Sequence, residues 1–268
     1  MLRRLIYPVP AWDPEGGLPV ETTAAGTHLV HVPAPEGGRT VVYLHGNGSD
    51  LASISPLAGL FARHGLGFAA VEYPGYGPAA GRPHQEAILA AARDGLAHLS
   101  LRAERTVLVG ESLGSSVAAH LAAEGVLHDG GASKGSGRLV LVSPFTSMTA
   151  MVQRVVRVFP RQLVPDRWET DALLERIDVP TLLVHGGGER PAFLAAATAS
   201  RTAAAVRRMG ASADTVMCRS TRSSVMRLTK LELAPFSSRR RTRYGSRSSC
   251  EPTGAYTRQG RPRRSAGT

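Results

Sequence analysis

Ser112 lies in the stretch Gly110-Glu111-Ser112-Leu113-Gly114, a G-x-S-x-G pattern typical of a serine that attacks an acyl carbon. The apolar run TVLV precedes the pattern and a helical segment follows it, so the stretch predicts a strand, a sharp turn and a helix. Such a turn strains the serine backbone, and the flanking glycines leave room for the chain that packs around it. The sequence therefore predicts that Ser112 is a nucleophile.

A second copy of the pattern, at residues 131–135, lies in the glycine-rich loop DGGASKGSGR. No strand precedes this copy and no helix follows it, so we do not interpret Ser133 as a nucleophile. The loop also lacks the G-x-x-x-x-G-K-[ST] order of a phosphate-binding loop and follows a helix rather than a strand. We interpret it as a surface loop.

The stretch His45-Gly46-Asn47-Gly48 follows another apolar run and has two interpretations. An acyl-transfer site needs two N–H donors for the developing oxyanion. The N–H groups of Leu113 and Asn47 could supply them, with Gly46 and Gly48 letting the loop turn sharply. The alternative is an ordinary turn at the end of a strand. Because the stretch accompanies the Ser112 pattern, we favour the oxyanion hole.

Five short apolar runs predict the strands that position these residues: TVVYLHG, FAAVEYPG, TVLVGES, RLVLVSPF and TLLVHG. Helical segments at about residues 51–64, 84–99 and 114–124 fall between them. This alternation predicts an α/β fold with a mostly parallel sheet and helices on both faces. Upstream, THLVHVPA predicts an antiparallel strand at one edge.

Each of the five runs ends in a special residue group: His45-Gly46, Tyr73-Pro74-Gly75, Glu111-Ser112, Ser143-Pro144 and His185-Gly186. All five groups would lie along the carboxyl edge of the sheet, where ligands bind in open parallel sheets. An insertion at residues 146–180 precedes the last run. Its residues Met148, Val152, Val155, Val156 and Phe159 fall on one helical face. The insertion is either a cap over an acyl pocket or a helix that simply packs on the domain.

The charge of the chain is divided unevenly at Gly186. Residues 187–268 carry 17 Lys and Arg against 4 Asp and Glu, whereas residues 1–186 carry 15 against 17. Large aliphatic residues and Phe make up only about a tenth of residues 187–268, too few to bury a core. We therefore predict a domain at 1–186 and a basic, low-complexity, mostly disordered tail at 187–268.

No metal or cofactor is expected. The two cysteines, Cys218 and Cys250, lie in the tail and support neither a disulfide framework nor a metal site. His28 and His31 are three residues apart on a predicted strand, so they face opposite sides and cannot easily share a metal ion.

The N-terminus MLRRLIYPVPAW starts basic, but prolines break its apolar run, and no run approaches the roughly 20 residues that span a bilayer. We expect a cytoplasmic protein.

Together, the segments VVYLHGNGSDLASI, VEYPGYG, GESLGSSVA, LVSPFTSM and PTLLVHG resemble the α/β-hydrolase superfamily, in particular its serine-aminopeptidase-like and depalmitoylase-like esterases. The resemblance covers about residues 5–186. It implies a Ser–acid–His triad acting on carboxylic esters, thioesters or amides, with Ser112 as nucleophile and the amides of Asn47 and Leu113 as the oxyanion hole. The acid position of this branch falls on Glu189, although HGGGERP otherwise departs from the expected pattern.

The resemblance also implies a base histidine in a Gly-His loop after a final strand, and the chain has no histidine after His185. His120 lies eight residues into the helix after Ser112, about 12 Å along its axis, and cannot reach the hydroxyl. His128 follows that helix at the opposite edge of the sheet. His45 and His185 lie at the correct edge and are the candidates for a substitute base, although in the family these positions shape turns rather than transfer protons. No base is identified.

Two function classes follow. The first is a serine hydrolase, impaired here because the catalytic histidine is missing, with a small-molecule or acyl substrate. For this class we hypothesise that the tail is a frameshifted reading of a GC-rich gene, and that the fold lacks its usual last strand.

The second function class is a catalytically dead domain whose Arg-rich tail binds nucleic acid or anionic membrane by counterion release. We do not expect this binding, because no folded or aromatic-interleaved recognition motif accompanies the charge. The residues make no prediction about oligomeric state.

Overall fold

A seven-stranded sheet forms the centre of the computed structural model, which describes residues 2–13, 17–129 and 136–184. The strands are β1 (Glu21–Thr22), β2 (His28–Val32), β3 (Thr40–Leu44), β4 (Gly67–Val71), β5 (Thr106–Glu111), β6 (Arg138–Val142) and β7 (Thr181–Val184). Their spatial order is β1-β2-β4-β3-β5-β6-β7. The first two strands run antiparallel to their neighbours and the others are parallel.

The parallel strands are apolar on both faces because each face packs against its own hydrophobic core. In β3, Val42 and Leu44 belong to one core, and Val41 and Tyr43 belong to the other. This alternation follows from the two-residue period of a strand. A strand covered on both sides reads as a continuous apolar run, which is why all five runs could be found in the sequence.

Six α-helices in the described residues surround the sheet: α1 (Leu2–Ile6), α2 (Leu51–Ile54), α3 (Pro56–Ala62), α4 (Gln85–Leu99), α5 (Leu113–Ala123) and α6 (Met148–Val155). Helices α2 and α3 supply one core, whereas α4 and α5 supply the other. The predicted helix at 51–64 is two helices, because Pro56 has no N–H to continue the first and occupies the start of the second. The predicted strand at THLVHVPA is antiparallel, but the two-residue β1 lies outside it at the edge.

The insertion at 146–180 contains α6 and two 3-10 helices, Arg161–Leu163 and Asp171–Arg176. Only some residues of the apolar helical face predicted there are buried in the structure. Met148 is buried and Val152 and Phe159 pack against the core, whereas Val155 is 85% exposed.

The prediction of a mostly parallel sheet with helices on both faces is confirmed. The described residues belong to the first of two units into which the chain divides, Met1–Ser223. The predicted tail at 187–268, its boundary at Gly186 and the missing last strand concern residues outside the described ranges. None of the described helices is both long enough and apolar enough to cross a bilayer.

Candidate active site

Ser112 occupies the turn between β5 and α5 with φ 49° and ψ −110°. A positive φ is rare for a residue with a side chain and is strained, so the surrounding structure has to hold it. The Ser112 N–H donates to the Val142 carbonyl at the end of β6 (2.9 Å). Its carbonyl accepts from both the N–H (3.0 Å) and the hydroxyl (2.5 Å) of Ser115. The Ser112 side chain makes no capping hydrogen bond to α5 and is half-buried.

Gly110 and Gly114 let the backbone close around this turn. A Cβ atom at Gly110 would overlap the carbonyl group of Gly114, and one at Gly114 would overlap the Leu44 carbonyl at the end of β3. The obstructing atoms are backbone atoms of a packed turn and a central strand, so neither can move aside easily. Both glycines are therefore required by close packing, as the sequence pattern predicts.

The HGNG loop lies against the turn. An added Cβ on Gly46 would lie 3.6 Å from the Ser112 Cβ, an ordinary van der Waals distance. Gly48 has φ 86°, a conformation that favours glycine, but Gly46 does not have a positive φ. The predicted sharp turn thus depends on Gly48, while Gly46 keeps the space beside Ser112 open.

Asn47 is fixed by its side chain. Its amide nitrogen donates to the Ile6 carbonyl at the end of α1, and its amide oxygen accepts from the Tyr76 hydroxyl (2.6 Å). These two bonds fix the Asn47 side chain and hold the loop from two sides. Neither of them uses the backbone N–H of Asn47. The N–H of Leu113 is at the first position of α5, where helix N–H groups have no intrahelical partner.

Comparison with known proteins identifies the family. The sequence model of the Alpha/beta hydrolase family matches residues 41–223, more than half of the chain. The chain belongs to the α/β hydrolase family. The match continues past Gly186, where we expected the resemblance to stop, so that boundary remains a prediction. An uncharacterised protein of Mycobacterium tuberculosis (strain ATCC 25618 / H37Rv) is 32% identical over 206 residues, which cover 70% of this chain and 69% of the relative.

Solved structures are similar at lower identity. An alpha-beta hydrolase from Vibrio vulnificus is 21% identical with a TM-score of 0.49, over 63% of this chain and 62% of that one. The Pyrococcus furiosus esterase Pf2001 is 19% identical with a TM-score of 0.46, over 66% of this chain and 75% of that one.

In this α/β hydrolase chain His45 is buried beneath the loop rather than directed at Ser112. Its Nδ1 is 3.0 Å from the Gly46 carbonyl oxygen and its Nε2 is 2.9 Å from Glu72 Oε1. Its ring also stacks on Tyr73 at 4.0 Å between centroids. Both nitrogens of His45 are engaged, and neither is left to accept a proton from Ser112.

Glu72 holds this part of the site together. Its carboxylate accepts from the N–H groups of Leu51 (3.0 Å) and Tyr73 (3.1 Å) in addition to His45. The Tyr73 hydroxyl donates to the His45 carbonyl (3.0 Å). Burial raises the pKa of both Tyr73 and Tyr76 above the usual tyrosine value, so neither phenol can act as a phenolate base at neutral pH.

The other described histidines lie away from Ser112 or have other partners. His120 Nδ1 is 2.8 Å from the Ser116 carbonyl, and its ring packs edge-on against Trp168. Burial lowers its pKa. His84 caps α4, and His128 contacts Asp178 at 2.7 Å. Within the described part of the chain, no group of three or more His, Cys, Asp or Glu side chains is placed to hold a metal ion.

Glu189, the candidate acid, and His185, the second candidate for a substitute base, lie outside the described residues. The sequence reasoning did not identify the supporting roles of Glu72 and Tyr76. The sequence does contain a signal for Glu72, because it is the only charged residue between His64 and Arg82 and directly follows an apolar strand. No local signal indicates that Ile6 contacts Asn47, since 41 residues separate them.

Proposed function

We propose that this chain has the architecture of a serine hydrolase of carboxylic ester, thioester or amide bonds, with Ser112 in the position of the nucleophile. The observation that carries the proposal is the strained backbone of Ser112, held between glycines that tolerate no side chain. Backbone strain persists where the structure over-determines it, and it is concentrated at functional sites. The resemblance of the sequence segments supports the serine-aminopeptidase-like and depalmitoylase-like branch.

In the proposed reaction, the Ser112 oxygen attacks the acyl carbon and the carbonyl oxygen becomes an oxyanion. The N–H groups of Leu113 and Asn47 donate to that oxyanion. The amino end of α5 adds a favourable partial positive charge at the same place. The Ser112 hydroxyl proton has to pass to a base and from the base to the leaving group, as the bond between that group and the acyl carbon breaks. Water then cleaves the acyl–serine bond, which gives a carboxylic acid and restores the Ser112 hydroxyl.

We further propose that this reaction is impaired because the Ser112 proton has no acceptor. A serine hydroxyl is a weak nucleophile at neutral pH unless a base removes its proton. Three observations support the impairment: both nitrogens of His45 are engaged, His120 Nδ1 is engaged by the Ser116 carbonyl, and no histidine occurs from Gly186 to Thr268. Without a histidine to orient, Glu189 could not serve as the acid of a triad.

Hydrolysis of p-nitrophenyl acetate tests the impairment. We expect slow turnover that Ser112→Ala changes little, because a site without its base retains only the catalysis of the oxyanion hole and binding, about 10³–10⁴-fold over water. Ser100→Ala is the matched control, since Ser100 is an exposed serine with a similar φ of 48°. Fast turnover that collapses in Ser112→Ala alone would show that a base is present, and His185 would then be the first residue to replace.

A further inference from the structure

We propose that residues 151–163 form a surface that docks on an anionic lipid membrane. We call it the apolar–basic surface. Its exposed apolar residues are Met151, Val155, Val156, Val158 and Leu163, and its exposed basic residues are Arg154, Arg157 and Arg161. The proposal concerns docking alone and does not depend on the catalytic competence of Ser112.

The exposure of the apolar side chains is selective. Val155 is 85% exposed, Val158 89% and Leu163 61%. In α6, which begins the insertion, Met148 is buried and Val152 packs against the core. The segment is therefore anchored by part of its apolar content and presents the rest to solvent. Contiguous exposed apolar residues of this kind mark interaction sites.

The charge of the segment favours an anionic partner. Residues 143–165 contain three arginines and no Asp or Glu. The first acidic residue after them, Asp166, is buried and binds Arg3 at 3.1 Å. That ion pair fastens α1 to the insertion, and Arg4 and Leu5 of α1 are exposed. Basic and apolar side chains together are the composition of a protein surface that lies in the headgroup region of a bilayer.

A membrane fits this surface better than a protein partner does. Protein interfaces concentrate their binding energy in aromatic anchors, whereas the most exposed side chains here are valines and a leucine. Small aliphatic side chains can enter the boundary of the acyl chains while the arginines contact lipid phosphates. Helix α6 has eight residues and is about 12 Å long, so it can lie on a bilayer but not span it.

The surface belongs to the edge of the sheet that carries Ser112. Helix α6 begins six residues after Val142, whose carbonyl accepts the Ser112 N–H. Docking would therefore bring the carboxyl edge of the sheet toward the bilayer. The membrane would bind the domain through the insertion, independently of the basic residues at 187–268.

A fluorescent probe on the full chain tests the docking. In a Cys218→Ser/Cys250→Ser background, Val158→Cys is labelled with an environment-sensitive nitrobenzoxadiazole dye. The control label is at Ala97→Cys, an exposed position near the C-terminal end of α4. With vesicles of equal phosphatidylglycerol and phosphatidylcholine, we expect the emission at position 158 to shift to shorter wavelength and rise. Emission at position 97 should not change, even if residues 187–268 tether the protein to the vesicles.

Vesicle co-sedimentation in high salt adds a second readout, because salt screens binding that rests on charge alone. We expect the triple variant Val155→Ser/Val158→Ser/Leu163→Ser to partition onto vesicles at least about tenfold more weakly than the unaltered chain. Each of the three substitutions removes apolar contact with the boundary of the acyl chains. Val20→Ser, at an exposed valine next to β1 on the far edge of the sheet, should bind like the unaltered chain. Circular dichroism verifies that the variants are folded.

Three results would overturn the proposal. The first is an unchanged emission at position 158 in the presence of anionic vesicles. The second is an emission that is already blue-shifted without vesicles, which would mean that another part of this chain covers the surface. The third is a dimer that the triple serine variant dissociates, which would assign the surface to a second copy.

Discussion

Replacing Glu72 with alanine should destabilise the fold more than any other single carboxylate removal in the described residues. The Glu72 side chain has no solvent exposure, and its two oxygens accept from three buried donors: His45 Nε2 and the N–H groups of Leu51 and Tyr73. The Glu72→Ala variant would leave all three donors without their acceptor. The site lies directly beneath the loop that carries Asn47.

The expected magnitude follows from these contacts. Leaving a buried donor without its acceptor costs about 1–3 kcal/mol, and three donors lose theirs here, so we expect a loss of at least about 3–5 kcal/mol. Total stabilities are about 5–15 kcal/mol, so the loss is a large share of the whole. A domain of this size loses about 2–4 °C of Tm per kcal/mol, which gives a decrease of roughly 6–20 °C. Glu72→Gln keeps the volume and one acceptor oxygen, so its stability should fall between those of the unaltered chain and Glu72→Ala.

Urea denaturation followed by circular dichroism measures the loss. Glu104→Ala is the matched control, because Glu104 is half-exposed and its ion pairs with Arg102 and Arg105 are at the surface. Surface pairs of this kind contribute about 0–1 kcal/mol. If Glu72→Ala costs no more than Glu104→Ala, the buried pair does not support the oxyanion loop and the reasoning is wrong.

Three further variants test other parts of the account. Gly114→Ala should destabilise the fold by about 1–3 kcal/mol or more, because the added Cβ would overlap a strand carbonyl. Gly59→Ala should stabilise the fold by up to about 1 kcal/mol, because Gly59 lies in α3 with open space around it. Thermal unfolding distinguishes the two variants. Burial lowers the pKa of His120, so the unfolded chain binds this proton at higher pH than the folded chain, and stability falls as pH drops below about 6.5. In His120→Gln this part of the decline should be absent when urea midpoints at about pH 5 and 8 are compared. Tyr76→Phe removes the donor to Asn47 and should cost about 1 kcal/mol of stability, measured by urea denaturation. An unchanged midpoint would contradict that role.

The strands and the turn at Ser112 were predictable because their signals are local. A strand covered on both faces reads as an apolar run, and a nucleophile turn needs glycines at fixed offsets. Pro56 likewise predicts a helix start, although the apolar pattern across it led us to expect one helix. The HGNG loop could be recognised only in combination with the serine pattern, since the loop alone also fits an ordinary turn.

The supports of the site were not predictable because they join distant parts of the chain. Glu72 and His45 are 27 residues apart, and the bond from Trp168 Nε1 to the Tyr7 hydroxyl joins residues 161 apart. Sequence periodicity also could not separate Val155 from Val152, which share a helical face. Their burial differs because only one of them meets the core.

Acylation of a cysteine at position 112 tests the central claim, that this turn holds a nucleophile beside oxyanion donors but lacks a base. A thiol is a few per cent thiolate at pH 7 and does not need the missing base. In the Cys218→Ser/Cys250→Ser background, Ser112→Cys and Ser100→Cys are treated with p-nitrophenyl acetate, and intact mass follows the acyl adduct. We predict that position 112 acylates about 10²-fold faster than position 100, the contribution of one oxyanion donor, while the native serine stays unmodified. Equal rates at the two positions, or rapid acylation of native Ser112, would contradict the account.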